Sequence, residues 1–111
     1  KGKSGDTFGP IGPYLVTKDE IKDLSNLNLT LDLNGKRRQT GNTGLMIFNF
    51  NFLISHLSSF ITLMPGDIIT TGTPPGVGLG MKPPQFLNDG DEMFLKVDNL
   101  GEQKLKVVKE K

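Results

Sequence analysis

The sequence has 111 residues, which is about the size of one ordinary domain. Thirteen Lys and Arg against twelve Asp and Glu leave a net charge of +1, which excludes the strong basic field typical of nucleic-acid or anionic-membrane binding. The absence of Cys and the single His exclude a disulfide framework and a thiolate or His-rich metal site, so any metal must have oxygen ligands. Polar residues interrupt the apolar stretch 45–64, and no signal-peptide pattern precedes it. We therefore expect a cytoplasmic protein that binds neither nucleic acid nor a membrane.

The segment "NLNLTLDLNG" has the period-2 pattern of a strand with one buried face. Its apolar residues are Leu27, Leu29, Leu31 and Leu33. Asn34 and Gly35 then take positive φ readily, so the pattern predicts a tight hairpin that returns as "KRRQT". The basic run of residues 36–38 is typical of a solvated strand edge.

The following stretch changes to the three- and four-residue spacing of a helix, and its apolar residues form one stripe. This spacing predicts an amphipathic helix at about residues 43–63, packed on a sheet. His56 is just outside the stripe and has no second His or Cys nearby, which indicates a helix-surface or boundary residue.

A turn, a short strand and a loop rich in Gly and Pro are predicted after the helix, and two further strands are predicted around Asn99 to Gly101. The order of strand, strand, helix and three strands favours an α+β, β-rich fold, a roll or sandwich with one main helix, over a doubly wound sheet. The aspartates of "PGD" and "DGD" are interpreted as turn formers, and they are Asp67, Asp89 and Asp91. The spacing G-x-G-x-G from residue 76, without a following Lys-Ser or Lys-Thr, argues against a phosphate-binding loop.

Three segments, in this order and at this spacing, resemble the C-terminal part of the fumarylacetoacetate hydrolase family. They are "KGKSGDTFGPIGPYLVT", "NGKRRQTGNTGLMIFNFNFLISHLSSFITLMPGDIITTGTPPGVGLGMKPP" and "FLNDGDEMFLKVDNLGEQ". The opening segment and "GLGMKPP" look most like the bacterial branch labelled ureidoglycolate lyase or diketo-deoxy-sugar-acid hydrolase. The resemblance implies the mixed β-roll or sandwich of this family's C-terminal domain, with residues 1–111 as a single segment of that domain.

The resemblance also implies a divalent-metal enzyme that cleaves C–C bonds of 2-oxo or β-dicarbonyl acids. Family members hold Mg²⁺ or Mn²⁺, or alternatively Ca²⁺, with a Glu-x-Glu pair and an Asp, which we expect upstream of residue 1. Lys3 corresponds to the family's catalytic lysine. Gly72 and Thr73 resemble the turn that meets the substrate carboxylate, and Thr7 corresponds to a threonine that contacts a second ion in some members.

Two positions depart from the pattern of the family that the sequence resembles. Many members have an aromatic residue where this sequence has Gly5, and many have a polar or acidic residue near Leu45. Substrate identity therefore stays open, as does the choice among an acylpyruvate or diketo-acid hydrolase, a ureidoglycolate lyase, and an oxaloacetate decarboxylase or isomerase. A truncated β-roll without catalytic activity is the further alternative. The resemblance implies a small-molecule acid as substrate and a homodimer or larger homo-oligomer.

Overall fold

The elements that the sequence predicts are largely present in the computed structural model, which describes residues 4–109. Four antiparallel strands form one sheet in the spatial order β2-β1-β3-β4, and one α-helix follows the first hairpin. The chain is therefore α+β and β-rich, as predicted, and the described strands form a single layer. The bounds are β1, Asn28–Leu33; β2, Lys36–Asn42; α1, Phe50–Ser58; β3, Glu92–Val97; and β4, Gly101–Lys106.

Both hairpins turn where the sequence predicts, because residues that tolerate positive φ occupy the turn positions. Asn34 and Gly35 have φ of 51° and 74° between β1 and β2. Asn99 and Gly101 have φ of 61° and 89° between β3 and β4.

The central pair, β1 with β3, joins the two hairpins across a large separation in sequence. At one end the backbone N–H of Asn34 donates to the Glu92 carbonyl, and its side-chain amide donates to the Asp91 carboxylate, both at 2.8 Å. At the other end the Asp98 carboxylate accepts from the backbone and side-chain amides of Asn28, at 3.0 and 2.8 Å. Polar side chains at both strand ends thus fix the register of this pair.

The helix is shorter than the predicted span of about 43–63, and the prediction that it packs on the sheet was wrong for the described chain, because none of its residues is buried. Asn42 and Thr43 are held by residues at or just before the start of β1. Thr43 Oγ1 accepts from the Leu27 amide, and Asn42 Nδ2 donates to Asn28 Oδ1, both at 2.9 Å. These bonds keep residues 43–45 in a 3₁₀ turn, and α1 begins only after Asn49, whose side chain caps the Phe52 amide. No helix among residues 4–109 is long and apolar enough to cross a membrane.

The short strand predicted after "PGD" is also absent from the described sheet. Residues 68–71 pair with none of the four strands, and Ile68 is exposed. A strand exists only where a neighbour completes its backbone hydrogen bonds, so the apolar pattern alone was insufficient.

Very little of the apolar side-chain surface is covered. Ile21 and Leu27 are the buried hydrophobic residues within the described range, and the accessible surface is 9379 Å². A compact monomer of 12.1 kDa exposes about 6,000 Å² by the usual size scaling. The Cα radius of gyration, 15.5 Å, likewise exceeds the roughly 13 Å expected for this length. Large exposed hydrophobic residues include Leu15, Leu45, Ile47, Phe60 and Leu79.

Asp98 offers a test of the polar bonds that hold the central strand pair. The amide and then the side chain of Asn28 hold the pKa of Asp98 below its usual value. A depressed folded-state pKa stabilises the fold above the unfolded-state pKa, and this contribution disappears as the pH falls through the folded-state pKa. We expect Asp98→Asn to lower the thermal unfolding midpoint at about pH 7 and to approach the wild type at about pH 2.

Circular dichroism melts across this pH range measure the effect. Glu92→Gln removes an exposed carboxylate from the adjoining strand β3 and is the control, with little expected change at either pH. A deficit for Asp98→Asn that is equal at all pH values would show that its charge does not support the strand pair.

Candidate functional site: an anchored Gly-Thr turn

The two residues predicted to bind substrate, Gly72 and Thr73, lie in the long connection between α1 and β3. Gly72 has φ of +92°, in the left-handed region that glycine adopts without steric cost. A Cβ added there would meet no atom within 4 Å, so the turn borders open space. Thr73 follows it and is exposed. The turn therefore presents a hydroxyl beside accessible backbone.

Gln39 of β2 holds this turn through its side-chain amide. Its Nε2 donates to Thr73 Oγ1 at 2.7 Å and to the Pro74 carbonyl at 2.8 Å. An amide NH₂ has two hydrogens, so both bonds can form at once. Thr73 Oγ1 also lies 3.2 Å from the Pro74 carbonyl, to which its hydroxyl can donate.

A second glutamine holds the N-terminal segment to the opposite edge of the sheet. Gln39, Leu31, Leu95 and Gln103 are paired successively across the four strands, so their side chains share one face. Gln103 Nε2 donates to the Gly12 carbonyl at 2.6 Å. The two segments that carry the predicted site residues are thus bound along the same row, with their strands roughly 14 Å apart at the usual spacing.

Arg38 holds the far part of the connection. It is the extra residue of a β-bulge, because Leu31 pairs with Gln39 and the next residue of β1 pairs with Arg37. Its Nη1 donates to Gln85 Oε1 at 2.6 Å and lies 3.4 Å from Met81 Sδ. Residues 73–85, here named the anchored loop, are therefore attached to β2 near both ends.

Two glycines let the anchored loop approach other backbone closely. A Cβ at Gly76 would overlap the carbonyl oxygen of Arg38, and one at Gly78 would overlap that of Gln85. The backbone N–H of Gln85 donates to the Gly78 carbonyl at 2.9 Å, and this bond joins the two halves of the anchored loop. The glycine spacing read in the sequence thus has a packing role.

The interpretation of residues 36–38 as a solvated edge was wrong for Arg38. Arg37 is exposed and forms an ion pair with Asp32, as a surface residue does. Arg38 is half-buried, and its Nε is buried without a hydrogen-bond partner among the described residues. The bulge and the loop that covers it cause the difference, and neither is readable from the local pattern.

The structure describes some of the predicted site residues and not others. Lys3 lies outside the described residues, so its role stays a prediction. Thr7 is exposed in a turn that the Phe8 amide closes on the Gly5 carbonyl at 3.0 Å. No hydrogen bond within residues 4–109 joins Thr7 to Thr73, and its ion contact also stays a prediction. The roles of Gln39 and Arg38 were missed, because polar strand residues give no signal of a distant loop.

The described residues do not by themselves fit a metal ion. No group of three or more His, Cys, Asp or Glu side chains occurs between residues 4 and 109. A hard divalent cation needs several oxygen ligands. Asp67 and Asp91 instead accept hydrogen bonds from the backbone amides of Met64 and Asn88, at 2.7 and 2.8 Å, which makes these two turn formers as predicted. Asp89 also lies in a turn, but its carboxylate accepts from the distant Lys109 amide at 2.9 Å.

One depression on the described surface lies away from the predicted turn residues. It measures about 670 Å³ and is lined by residues of β3, β4 and the segment around Tyr14. Neither Gly72 nor Thr73 contributes to it. The turn has anchored hydrogen-bonding groups, whereas the depression is wide and open, so the turn is the stronger candidate for binding a small ligand.

This geometry defines the class of protein as a β-rich domain in which the edge of the sheet fixes an exposed Gly-Thr turn. The sequence matches the family described as "Fumarylacetoacetate (FAA) hydrolase C-terminal" over residues 1–108. The chain therefore belongs to the fumarylacetoacetate hydrolase family, as the sequence motifs indicated.

Relatives and solved structures agree with this assignment. A Burkholderia cenocepacia protein, provisionally named a hydrolase, is 58% identical over 104 residues, covering 93% of this chain and 37% of the relative. Maleylpyruvate hydrolase from Sphingobium sp. SYK-6, in complex with manganese(II) and pyruvate, is 38% identical with a TM-score of 0.87, covering 96% of this chain and 38% of that one. A 5-carboxymethyl-2-hydroxymuconate delta-isomerase from Mycobacterium smegmatis is 38% identical with a TM-score of 0.81, over the same shares. The chain thus spans little more than a third of these proteins.

Gly78 and Gly80 form a matched pair for testing the closure of the anchored loop. A Cβ at Gly78 would overlap the Gln85 carbonyl, whereas one at Gly80 would make an ordinary contact of 3.6 Å with Val77 Cγ2. We expect Gly78→Ala to destabilise the protein by about 1–3 kcal/mol, the usual cost of overpacking, and Gly80→Ala to cost well under 1 kcal/mol. Urea denaturation measures both. Equal small costs would contradict the close approach of Gly78 and Gln85.

Proposed function

We propose that this chain is the C-terminal part of a cytoplasmic, divalent-metal-dependent enzyme that cleaves a C–C bond in acylpyruvates or related 2-oxo and β-dicarbonyl acids. The observation that carries the proposal is the Gly72–Thr73 turn, exposed and fixed to β2 by Gln39. The family and the pyruvate complex of maleylpyruvate hydrolase support a small 2-oxo acid as the ligand.

The turn has the chemistry needed for a carboxylate. A hydroxyl and a backbone N–H are both hydrogen-bond donors, and bonds to an ionised acceptor are stronger than neutral ones. We assign the Thr73 hydroxyl and the Gly72 N–H to the substrate carboxylate. They would orient the acid without taking part in the bond cleavage.

Lys3 is assigned the chemical role. Cleavage beside a carbonyl releases an enolate, so negative charge develops on oxygen in the transition state. An ammonium group can stabilise that charge or donate a proton to it. Mg²⁺ or Mn²⁺, with Ca²⁺ as the alternative, is the proposed cofactor. Its ligands would come from outside residues 4–109, so we derive no step through it.

Isomerisation is the second candidate reaction, and the match to the delta-isomerase favours it. Hydrolysis and isomerisation can share an enolate, and they differ in whether water adds to the substrate. Product analysis in ¹⁸O-labelled water distinguishes the two reactions, because only hydrolysis places the label in a carboxylate group of the product.

Lys3→Met in the complete enzyme tests the catalytic assignment. Methionine retains length and apolar character but lacks the charge and the donors. We expect kcat for an acylpyruvate in the presence of Mn²⁺ to fall on the order of 10²- to 10⁴-fold, with a much smaller change in KM. Chelation of the metal should abolish turnover by the wild type.

Lys1→Met is the matched control, because it removes the same charge two residues away and should be almost silent. Equal losses in the two variants, or an effect of Lys3→Met on KM alone, would show that Lys3 does not act in the chemical step.

We also propose that the chain assembles with a second copy through its uncovered apolar surface. On α1 the exposed Phe52 ring stacks on Phe48, with centroids 4.6 Å apart, and on His56 at 5.9 Å. An exposed aromatic row of this kind is typical of an interface.

Sedimentation of the 111-residue chain should therefore find a dimer or a larger species. Phe52→Lys should shift it toward monomer, whereas Ser55→Lys adds the same charge to an exposed polar site on α1 and should not. A stable wild-type monomer at high concentration would contradict the proposed assembly.

A further inference from the structure

We propose that Gln39 is a positioning residue, which directs the hydroxyl proton of Thr73 toward the substrate carboxylate. The inference rests on the proposed function, since it assumes that Thr73 meets that carboxylate. In this proposal Gln39, a residue of strand β2, orients a substrate-binding group without contacting the substrate.

The orientation of the Gln39 amide follows from its partners. The Pro74 carbonyl can only accept a hydrogen bond, so the Gln39 atom 2.8 Å from it must be the nitrogen. The same nitrogen lies 2.7 Å from Thr73 Oγ1 and supplies its second hydrogen there. Thr73 is therefore an acceptor toward Gln39, and its own proton must point elsewhere.

The proton of Thr73 has only a weak partner among the described residues. The Pro74 carbonyl is 3.2 Å from Thr73 Oγ1, belongs to the adjoining residue and already accepts from Gln39. An ionised carboxylate is a much stronger acceptor. A carboxylate beside the turn would therefore receive the Thr73 proton without any change at Gln39.

Gln39 is ordered before a ligand arrives. It lies on β2 opposite Leu31, beside the bulged residue Arg38, and is half-buried. A Cβ at Gly76 would lie 3.1 Å from Gln39 Cγ, so the anchored loop already lies against the stem of this side chain. Fixing such a side chain in advance reduces the entropy lost on binding.

Gln39→Glu in the complete enzyme is the decisive substitution. Glutamate is close in shape but accepts where glutamine donates, so the Thr73 proton would turn toward residue 39 and away from the substrate. We expect KM for an acylpyruvate, and the Kd of pyruvate as a probe, to rise about 10- to 100-fold, with kcat within about 3-fold. Gln39→Met removes the donors without adding an acceptor and should raise KM by less than about 10-fold.

Gln85→Glu is the matched control for charge. It adds the same negative charge to the anchored loop and retains the acceptor that Arg38 uses at 2.6 Å. We expect its KM to stay within about 3-fold of the wild type. A comparable rise in KM for this variant would mean that charge on the loop, rather than the Thr73 proton, weakens binding.

Two readouts separate positioning from a merely structural role. The carboxyl group that Gln39→Glu introduces becomes a donor again when protonated, so the KM ratio of this variant to wild type should fall as the pH decreases from about 7 to about 5. In a Thr73→Val background, Gln39→Glu should cost little further affinity, because the group through which it acts is gone.

The outcomes are distinguishable. If the wild-type enzyme turns over an acylpyruvate, two results would overturn the positioning role and leave the proposed function intact. One is an equal, pH-independent change in KM for Gln39→Glu and Gln39→Met. The other is an additive loss of affinity when Gln39→Glu is combined with Thr73→Val. Failure of the wild-type enzyme to turn over any acylpyruvate or to bind pyruvate overturns the proposed function and this inference with it.

Discussion

The two segments that carry the predicted site residues are fixed by one row of side chains across the sheet. Gln39 and Gln103 stand at its two ends, with Leu31 and Leu95 between them. Each glutamine donates to a loop carbonyl, Gln39 to Pro74 and Gln103 to Gly12. Because strands in a sheet have a fixed spacing, this row sets how far apart the N-terminal segment and the anchored loop are held. The candidate site therefore depends on sheet register, which the polar bonds at the ends of β1 and β3 maintain.

The uncovered apolar surface has a direct bearing on this site. The accessible surface of 9379 Å² is much larger than that of a compact domain of this size. Within the described range, Ile21 and Leu27 are the buried hydrophobic residues. The turn at Gly72 likewise faces open space. The proposed enzyme would explain both the uncovered apolar surface and the open turn. In it, other parts of the enzyme or its second copy would pack on the apolar surface and supply the remaining walls and metal ligands of the pocket.

Local sequence patterns predicted the local structure well. They failed where contacts with residues distant in sequence determine the structure. The strand at β1 and the Asn34–Gly35 turn were predicted correctly, because side-chain period and φ preference act within a few residues. The buried face predicted for β1 was not found, since its leucines are only half-buried. The helix was predicted too long because the bonds of Asn42 and Thr43 to the start of β1 are invisible to periodicity. Gly72 and Thr73 were predicted as site residues only from family motifs, and their role stays a prediction. Gln39 could not be found at all, since nothing in the local pattern marks a strand glutamine as the partner of a loop 34 residues away.

The contact between Gln39 and the anchored loop also bears on how the sheet ends. β2 is an edge strand, and an uncovered edge is a site for unwanted pairing with other chains. The bulge at Arg38 interrupts this edge, and Gly76 lies against the Arg38 carbonyl, so the anchored loop covers it. The same loop presents Thr73. Coverage of the edge and the proposed orientation of the hydroxyl thus come from one set of contacts. Arg38 and the glycines fix the loop, and Gln39 donates to Thr73 Oγ1.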